Sequence, residues 1–165
     1  KIVEIEGKKY GWHPDLSSIT LGEYADIESL LKNGVENNLP QVMAILYRPI
    51  IAEGENDTYT IEAYDGNIDI RAEEMKKMSA EQVQNALRFF FGVIFDGAHE
   101  GNEDAIATES FADKWSWFGV MYRLTGGEIV NLKAITELNL FEALTWLTYE
   151  TDLESQNRVK HGSKQ

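Results

Sequence analysis

Apolar positions recur along the chain at two periods, and the switch between them sets the expected elements. Residues 2–12, IVEIEGKKYGW, alternate, with Gly7 beside charged residues, which predicts a short β-hairpin. HPDLSS then reads as a turn. From Thr20 the period lengthens. Thr20 and Glu23 form a T-x-x-E capping box, and Tyr24, Ile27, Leu30 and Leu31 share one face of the helix it starts. Asn33-Gly34 ends that helix. Leu39, Val42, Met43 and Leu46 then fall at i, i+3, i+4 and i+7, a second helical stripe with Pro40 in its first turn. This helix stops inside MAILYRPI, residues 43–50. Pro49 pushes the residue before it out of the α region, so the helix ends at Arg48, whose guanidinium is expected on a nearby carboxylate. Residues 52–58 read as a polar loop, YTIEAY (59–64) as a strand, and Asp65-Gly66 as a turn.

The second half is helical by the same criteria. A short helix is expected over 70–78. Ser79 with Gln82 caps the next one, whose core stripe is Val83, Leu87, Phe90, Phe91 and Ile94. DGAHEGNEDAI, 96–106, is an acidic, Gly-containing linker. Beyond it, one helix carries two stripes: Phe111, Trp115, Phe118 and Tyr122 on one side, Trp117, Met121 and Leu124 on another. Gly126-Gly127 terminates it, and a short helix covers 131–137. Asn139 with Glu142 caps the last helix, expected to run to about residue 156, again with two stripes: Leu140, Leu144 and Leu147, and separately Trp146, Tyr149 and Leu153. The expected fold is mainly α with a small β element, an N-terminal hairpin plus one short strand. It is organised as a body (1–95), the linker (96–106), a helical C-terminal subdomain (107–157) and a polar tail (158–165).

Two apolar stripes exceed the single contact face of a surface helix. Either these helices lie centrally, or one stripe of each meets a partner. Trp117 with Met121, and Trp146 with Tyr149, are the candidate partner-binding residues, because Trp and Tyr are the usual anchors of interfaces.

Composition narrows the partner. The chain has 165 residues, 43% hydrophobic and 11% aromatic, enough for a core and too apolar for general disorder. Its net charge of −13 disfavours a phosphate backbone or an anionic membrane as partner and favours solubility. With no cysteine, disulfides, thiolate metal sites and cysteine nucleophiles are excluded. The longest apolar run, FFFGVIF (89–95), is too short to span a bilayer. KIVEIEGKKY has no signal-like segment, so a soluble intracellular protein is expected.

Catalytic chemistry is hard to find. His13, His99 and His161 are scattered and read as solvated loop or tail residues, with no H-E-x-x-H. His13-Pro14-Asp15 matches the tripeptide of J-domains, but it follows a hairpin instead of joining two helices. Residues 96–104 lack the spacing of a calcium loop, and there is no phosphate loop or nucleophile elbow. Glu23 and Asp26, at i and i+3, read as a solvated helix face. No catalytic, cofactor or metal residue is assigned. A hydrolase using scattered carboxylates is the enzymatic alternative.

Taken in order, GKKYGWHPDLSSITLGEYADIESLL, NLPQVMAILYRPI, YTIEAY, LRFFFGVIF and WFGVMYRLTGGEIVNLKAITELNLFEALTWLTYETD resemble phage-encoded proteins of tail-morphogenesis type. The last piece is similar in style to tail assembly chaperones: an aromatic helix, a glycine turn, a short helix and a Leu-rich helix. The resemblance covers roughly residues 5–153. It implies a non-enzymatic chaperone of the host cytoplasm that keeps an apolar tape measure protein soluble and helps recruit tail-tube subunits, without nucleic acid, membrane or cofactor, and that could self-associate. A virion component, such as a neck, connector or internal cargo protein, is the alternative of the same class.

Overall fold

The structure is a computed structural model that describes residues 2–13, 18–97 and 111–162; side chains at 35–36, 93–97, 111–114 and 159–162 fall outside the description. The chain is mostly helical, with an antiparallel sheet at its N-terminal end. Strands β1 (Ile2–Ile5) and β2 (Lys8–Gly11) form the expected hairpin. Its two-residue turn puts Glu6 at φ 51 and Gly7 at φ 79, the left-handed pair that matches strand twist in a tight hairpin. Val3, Ile5 and Tyr10 point to the core.

The sheet is larger than the apolar pattern predicts. Arg48–Glu53 is a strand, β3, paired with β2 on one side and with β4 (Tyr59–Ile61) on the other, in the order β1-β2-β3-β4. At RPIIAE the expected helix stop running into a loop gives way to a strand. It is a strand because Pro49 needs no N–H there: its carbonyl accepts from Glu62 N at 2.9 Å, beside the end of β2. A register shift between Ile50 and Ala52 marks a bulge, and β4 stops at Ile61, short of the expected 64.

Helix α1 (Leu21–Lys32) carries the full capping box: Glu23 N donates to Thr20 Oγ1 at 3.2 Å, and Thr20 N donates to Glu23 Oε2 at 2.7 Å. Helix α2 (Val35–Leu46) begins before Pro40, which lies inside it and not in its first turn. Asn38 supports that early start by donating to Leu30 O at 2.9 Å and Gly34 O at 3.0 Å. From Val42 to Arg48 every residue is buried. Helices α3 (Asp69–Met75) and α4 (Ala80–Gly97) follow, the latter opened by reciprocal Ser79–Gln82 bonds of 2.8 and 3.2 Å. Of its predicted stripe, Phe90 is buried, Val83, Leu87 and Phe91 are half-buried, and the Ile94 side chain lies outside the described residues. Most of the predicted linker also lies outside them, although positions 96 and 97 continue α4.

Helix α5 (Phe111–Leu124) is broken at Ser116, whose φ of 37 and ψ of −124 are non-helical. A 3-10 turn at Ile129–Asn131 leads into α6 (Leu132–Thr136), and α7 (Leu140–Gly162) outruns its expected end by several residues. The tail expected from 158 is thus helical as far as 162, and 163–165 lie outside the described residues. Leu140 and Ala143 enter the same core as Ile19, Leu21 and Met43. Two backbone bonds clamp this join: Leu21 N to Leu138 O at 2.8 Å and Leu140 N to Ile19 O at 2.9 Å, around a Thr20–Asn139 bridge. Gly22 lets α6 approach closely, since a Cβ there would sit 3.0 Å from Thr136 O.

Candidate functional site

Two features stand out from the packed body: a charged cleft beside α1, and an aromatic surface on the C-terminal helices.

The cleft forms because three elements end at one place. The segment just after β2 supplies His13, the first turn of α1 supplies Glu23, and the first residue of β3 supplies Arg48; the expected turn over HPDLSS lies mostly outside the described residues. Tyr64, Met121, Lys133 and Glu137 also line it, around a volume of about 640 Å³. At its base Arg48 (3% exposed) meets Glu23 (1% exposed), Nη2 to Oε1, at 2.6 Å. The Arg48 guanidinium therefore has the carboxylate partner expected of it. The partner itself corrects an expectation: Glu23 is not on a solvated helix face but in the interior.

His13 is also drawn in and half-buried, not solvated. Its Nε2 lies 2.7 Å from Arg48 Nη2 and 3.3 Å from Glu23 Oε2. With the proton on Nε2 it donates to Glu23; with the proton on Nδ1 it accepts from Arg48. Tyr64 donates to Asp26 Oδ2 at 2.5 Å, and its ring centroid is 6.0 Å from the Arg48 guanidinium carbon.

Charge states follow from these contacts. Burial pushes Glu23 up, but the His13 bond, the Arg48 charge and the Thr20 N–H together outweigh it and hold the carboxyl below its usual range. Burial pulls Arg48 down, opposed chiefly by Glu23. Burial and then the Asp26 bond hold the Tyr64 phenol far above its usual value, so it remains a donor. Both Glu23 oxygens are engaged, one by Arg48 and one by Thr20 N–H. A carboxylate held ionised and already bonded is badly placed to take a proton from a substrate. Among the described residues no group of three or more His, Asp or Glu side chains is arranged to hold a metal ion. The cluster works instead as a polar rivet joining β3 to α1.

No family model, curated protein or solved structure matches the chain.

The second feature splits the four predicted binding residues into two pairs. Trp117 and Met121 pack half-buried against the core. Trp117 stands edge-on to Tyr24, ring centroids 5.3 Å apart, and its indole N–H donates to Glu28. On α5 it is therefore the other stripe, Trp115, Phe118 and Tyr122, that is exposed, and Ile129 and Val130 in the following 3-10 turn are exposed as well. Trp115 and Phe118 are in ring contact at 5.6 Å. On α7 the assignment is the reverse: Leu140 is buried and Leu147 half-buried, although Leu144 of the same stripe is exposed, while Trp146 and Tyr149 are exposed together with Leu153. The Trp146 indole is oriented by a 3.2 Å bond to Glu150, which also meets Arg123 of α5 at 3.4 Å.

Sequence reasoning missed Glu23 and His13 as core partners. The only available signal was the pairing of a capping-box glutamate with an arginine placed at a helix stop. Among the described residues no helix is long and apolar enough to cross a membrane.

Proposed function

We propose that this chain is a non-enzymatic binding protein of phage tail morphogenesis, an assembly chaperone acting in the host cytoplasm on an apolar client of tape measure type. One observation carries the binding half of this reading: Phe118 and Tyr122 on α5, with Ile129 and Val130 in the next turn, stand exposed on an otherwise strongly acidic chain. Contiguous apolar surface rimmed by charge marks interaction sites, and aromatic side chains are the usual anchors. The nature of the client comes from the tail-chaperone resemblance of the C-terminal segment. The acidic remainder keeps the complex dispersed while the client's apolar segments are covered. The buried Glu23–Arg48 pair supports a structural use of the cleft, which leaves the surface as the working part.

The test is a pull-down of the tagged protein from cells expressing the surrounding phage genes, read by mass spectrometry. A long, apolar structural protein should co-purify with the wild type and be lost with Phe118→Asp and Tyr122→Asp. The chain should be missing from finished particles. Recovery in particles at fixed copy number would replace this reading with that of a virion component.

A further inference from the structure

Histidine is the side chain that gains or loses a charge between about pH 5 and about pH 8, and His13 stands between a buried cation and a buried anion. Arg48 Nη2 lies 2.6 Å from Glu23 Oε1 and 2.7 Å from His13 Nε2. Two nitrogens that close share a hydrogen bond, and arginine has no lone pair to offer. His13 Nε2 is therefore the acceptor, which puts the ring proton on Nδ1. Glu23 Oε2 and Oε1 stand farther from the same nitrogen, at 3.3 and 3.4 Å, beyond ordinary bonding distance. Arg48 gains from this acceptor, because its Nε is buried without a partner.

A proton on Nε2 undoes the arrangement. The ring and the guanidinium then face each other as two donors and two like charges. Glu23 lies just outside bonding distance of the same nitrogen, so a small rotation of the ring exchanges one partner for the other. The backbone is held in place: Gly11 pairs with Arg48 across β2 and β3, and the Trp12 carbonyl accepts from the Tyr59 hydroxyl at 2.6 Å. The response therefore falls to the side chain, which borders the cleft. The other charged groups lining the cleft have partners of their own. On α1, Asp26 accepts from the Tyr64 hydroxyl at 2.5 Å. After β4, Glu62 pairs with Arg71 at 3.2 Å and Asp65 accepts from Asn67 N at 2.9 Å. On α6, Lys133 and Glu137 pair at 3.7 Å. Among the described residues the ring thus has two partners, Arg48 for its neutral form and Glu23 for its charged form. The charged-form bond is among those that hold the Glu23 carboxyl below its usual range.

We propose that His13 is a proton-operated switch within the Glu23–Arg48 pair: the neutral ring accepts from Arg48 through Nε2, and the protonated ring releases Arg48 and donates to Glu23. Acidification thereby unfastens the start of β3 from the segment after β2 and fastens that segment to α1. The proposal does not depend on the client reading, because it concerns the isolated protein and the opposite feature of the fold.

The experiment is nitrogen-15 NMR of the imidazole and guanidinium groups of the full chain, titrated from about pH 8 to about pH 5. The His13 signals are those absent from His13→Gln. At the upper pH His13 should be the Nδ1–H tautomer with Nε2 unprotonated. An unrestrained imidazole favours the opposite tautomer, so this signature separates the proposal from a solvated ring. As the ring gains its proton, the Arg48 guanidinium signals should shift with the same midpoint. His13→Gln should keep its fold by circular dichroism, because its side-chain oxygen can accept from Arg48 while its nitrogen donates to Glu23. In that variant the Arg48 shift should vanish over the same range. An Nε2–H tautomer at the upper pH would overturn the proposal. So would Arg48 signals that ignore the ring's titration, or an Arg48 shift that persists in His13→Gln. The first two readings come from the wild type, so the proposal stands or falls even if His13→Gln does not fold.

Discussion

The charged cleft and the aromatic surface treat their chemistry in opposite ways. Around Glu23 the carboxylate is buried and both its oxygens are matched: Arg48, Thr20 N–H and His13 occupy it from different elements, although Arg48 Nε is buried without a partner. Along α5 and α7 the groups are apolar and face outward, with the fold complete without them. A buried carboxylate whose two oxygens are both bonded locks one arrangement of the chain and has little left to offer a ligand. An exposed aromatic contributes little to folding and much to association. Burial and partnership together, rather than residue type, separate scaffold from working surface in this molecule.

Substitutions can break that contrast. The largest effect belongs to Arg48→Ala, which strands an ionised Glu23 in the interior and should cost about 3–5 kcal/mol in chemical denaturation. The double change Arg48→Met with Glu23→Gln should recover much of that loss, because it removes both charges at once. Next is Trp117→Ala, expected to cost about 3 kcal/mol through lost packing on Tyr24 and the lost bond to Glu28. If it melted like wild type, Trp117 would belong to the surface after all. Acid titration should give a smaller effect of definite sign. Glu23 is depressed in the folded state, so its contribution is fully present above the unfolded carboxylate value of about 4.3 and is lost as pH falls through the folded value. The Arg48→Met, Glu23→Gln protein should show a flatter stability profile below that pH. Tyr64→Phe, which deletes the bond to Asp26, should cost about 1 kcal/mol. Smallest of all, Trp146→Ala and Phe118→Ala should stay within about 0.5 kcal/mol of wild type in stability. A Trp146→Ala protein that failed to fold would erase the distinction between the two regions.

How legible these features were in the sequence depends on how local their causes are. The hairpin, the Thr20–Glu23 and Ser79–Gln82 boxes and the stripes of α1 and α2 follow from neighbours a few residues apart, and were readable. Strand β3 was not, because RPIIAE lacks apolar alternation and its pairing with β2 reaches far back along the chain, while its hairpin with β4 closes over the polar segment 54–58. The start of α2 was masked by Pro40, a residue that usually opens helices and here sits within one. For the cleft, the capping box was visible but its second use was not: nothing local to Glu23 indicates that Arg48 and His13 converge on it. The doubled stripes of α5 and α7 were visible as well. Which stripe turns inward depends on Tyr24 and Glu28 for one helix and on the hole beside Ile19 and Leu21 for the other.

The clamp between residues 19–21 and 138–140 joins parts of the chain that lie far apart in sequence. Such closures are slow to form, because the loop entropy must be spent before the contact can reward it. Until Leu140 is available, the nascent body has an unfilled hole beside Ile19 and Leu21. The sheet and α1 to α4 must therefore wait, loosely packed, for α7 to arrive. A chain truncated before α7 should behave as a compact but unlocked state that binds hydrophobic dyes. Completion of the core and presentation of the outer face of α7 become one event, because the same helix supplies Leu140 and Ala143 to the inside and Trp146 and Tyr149 to the outside.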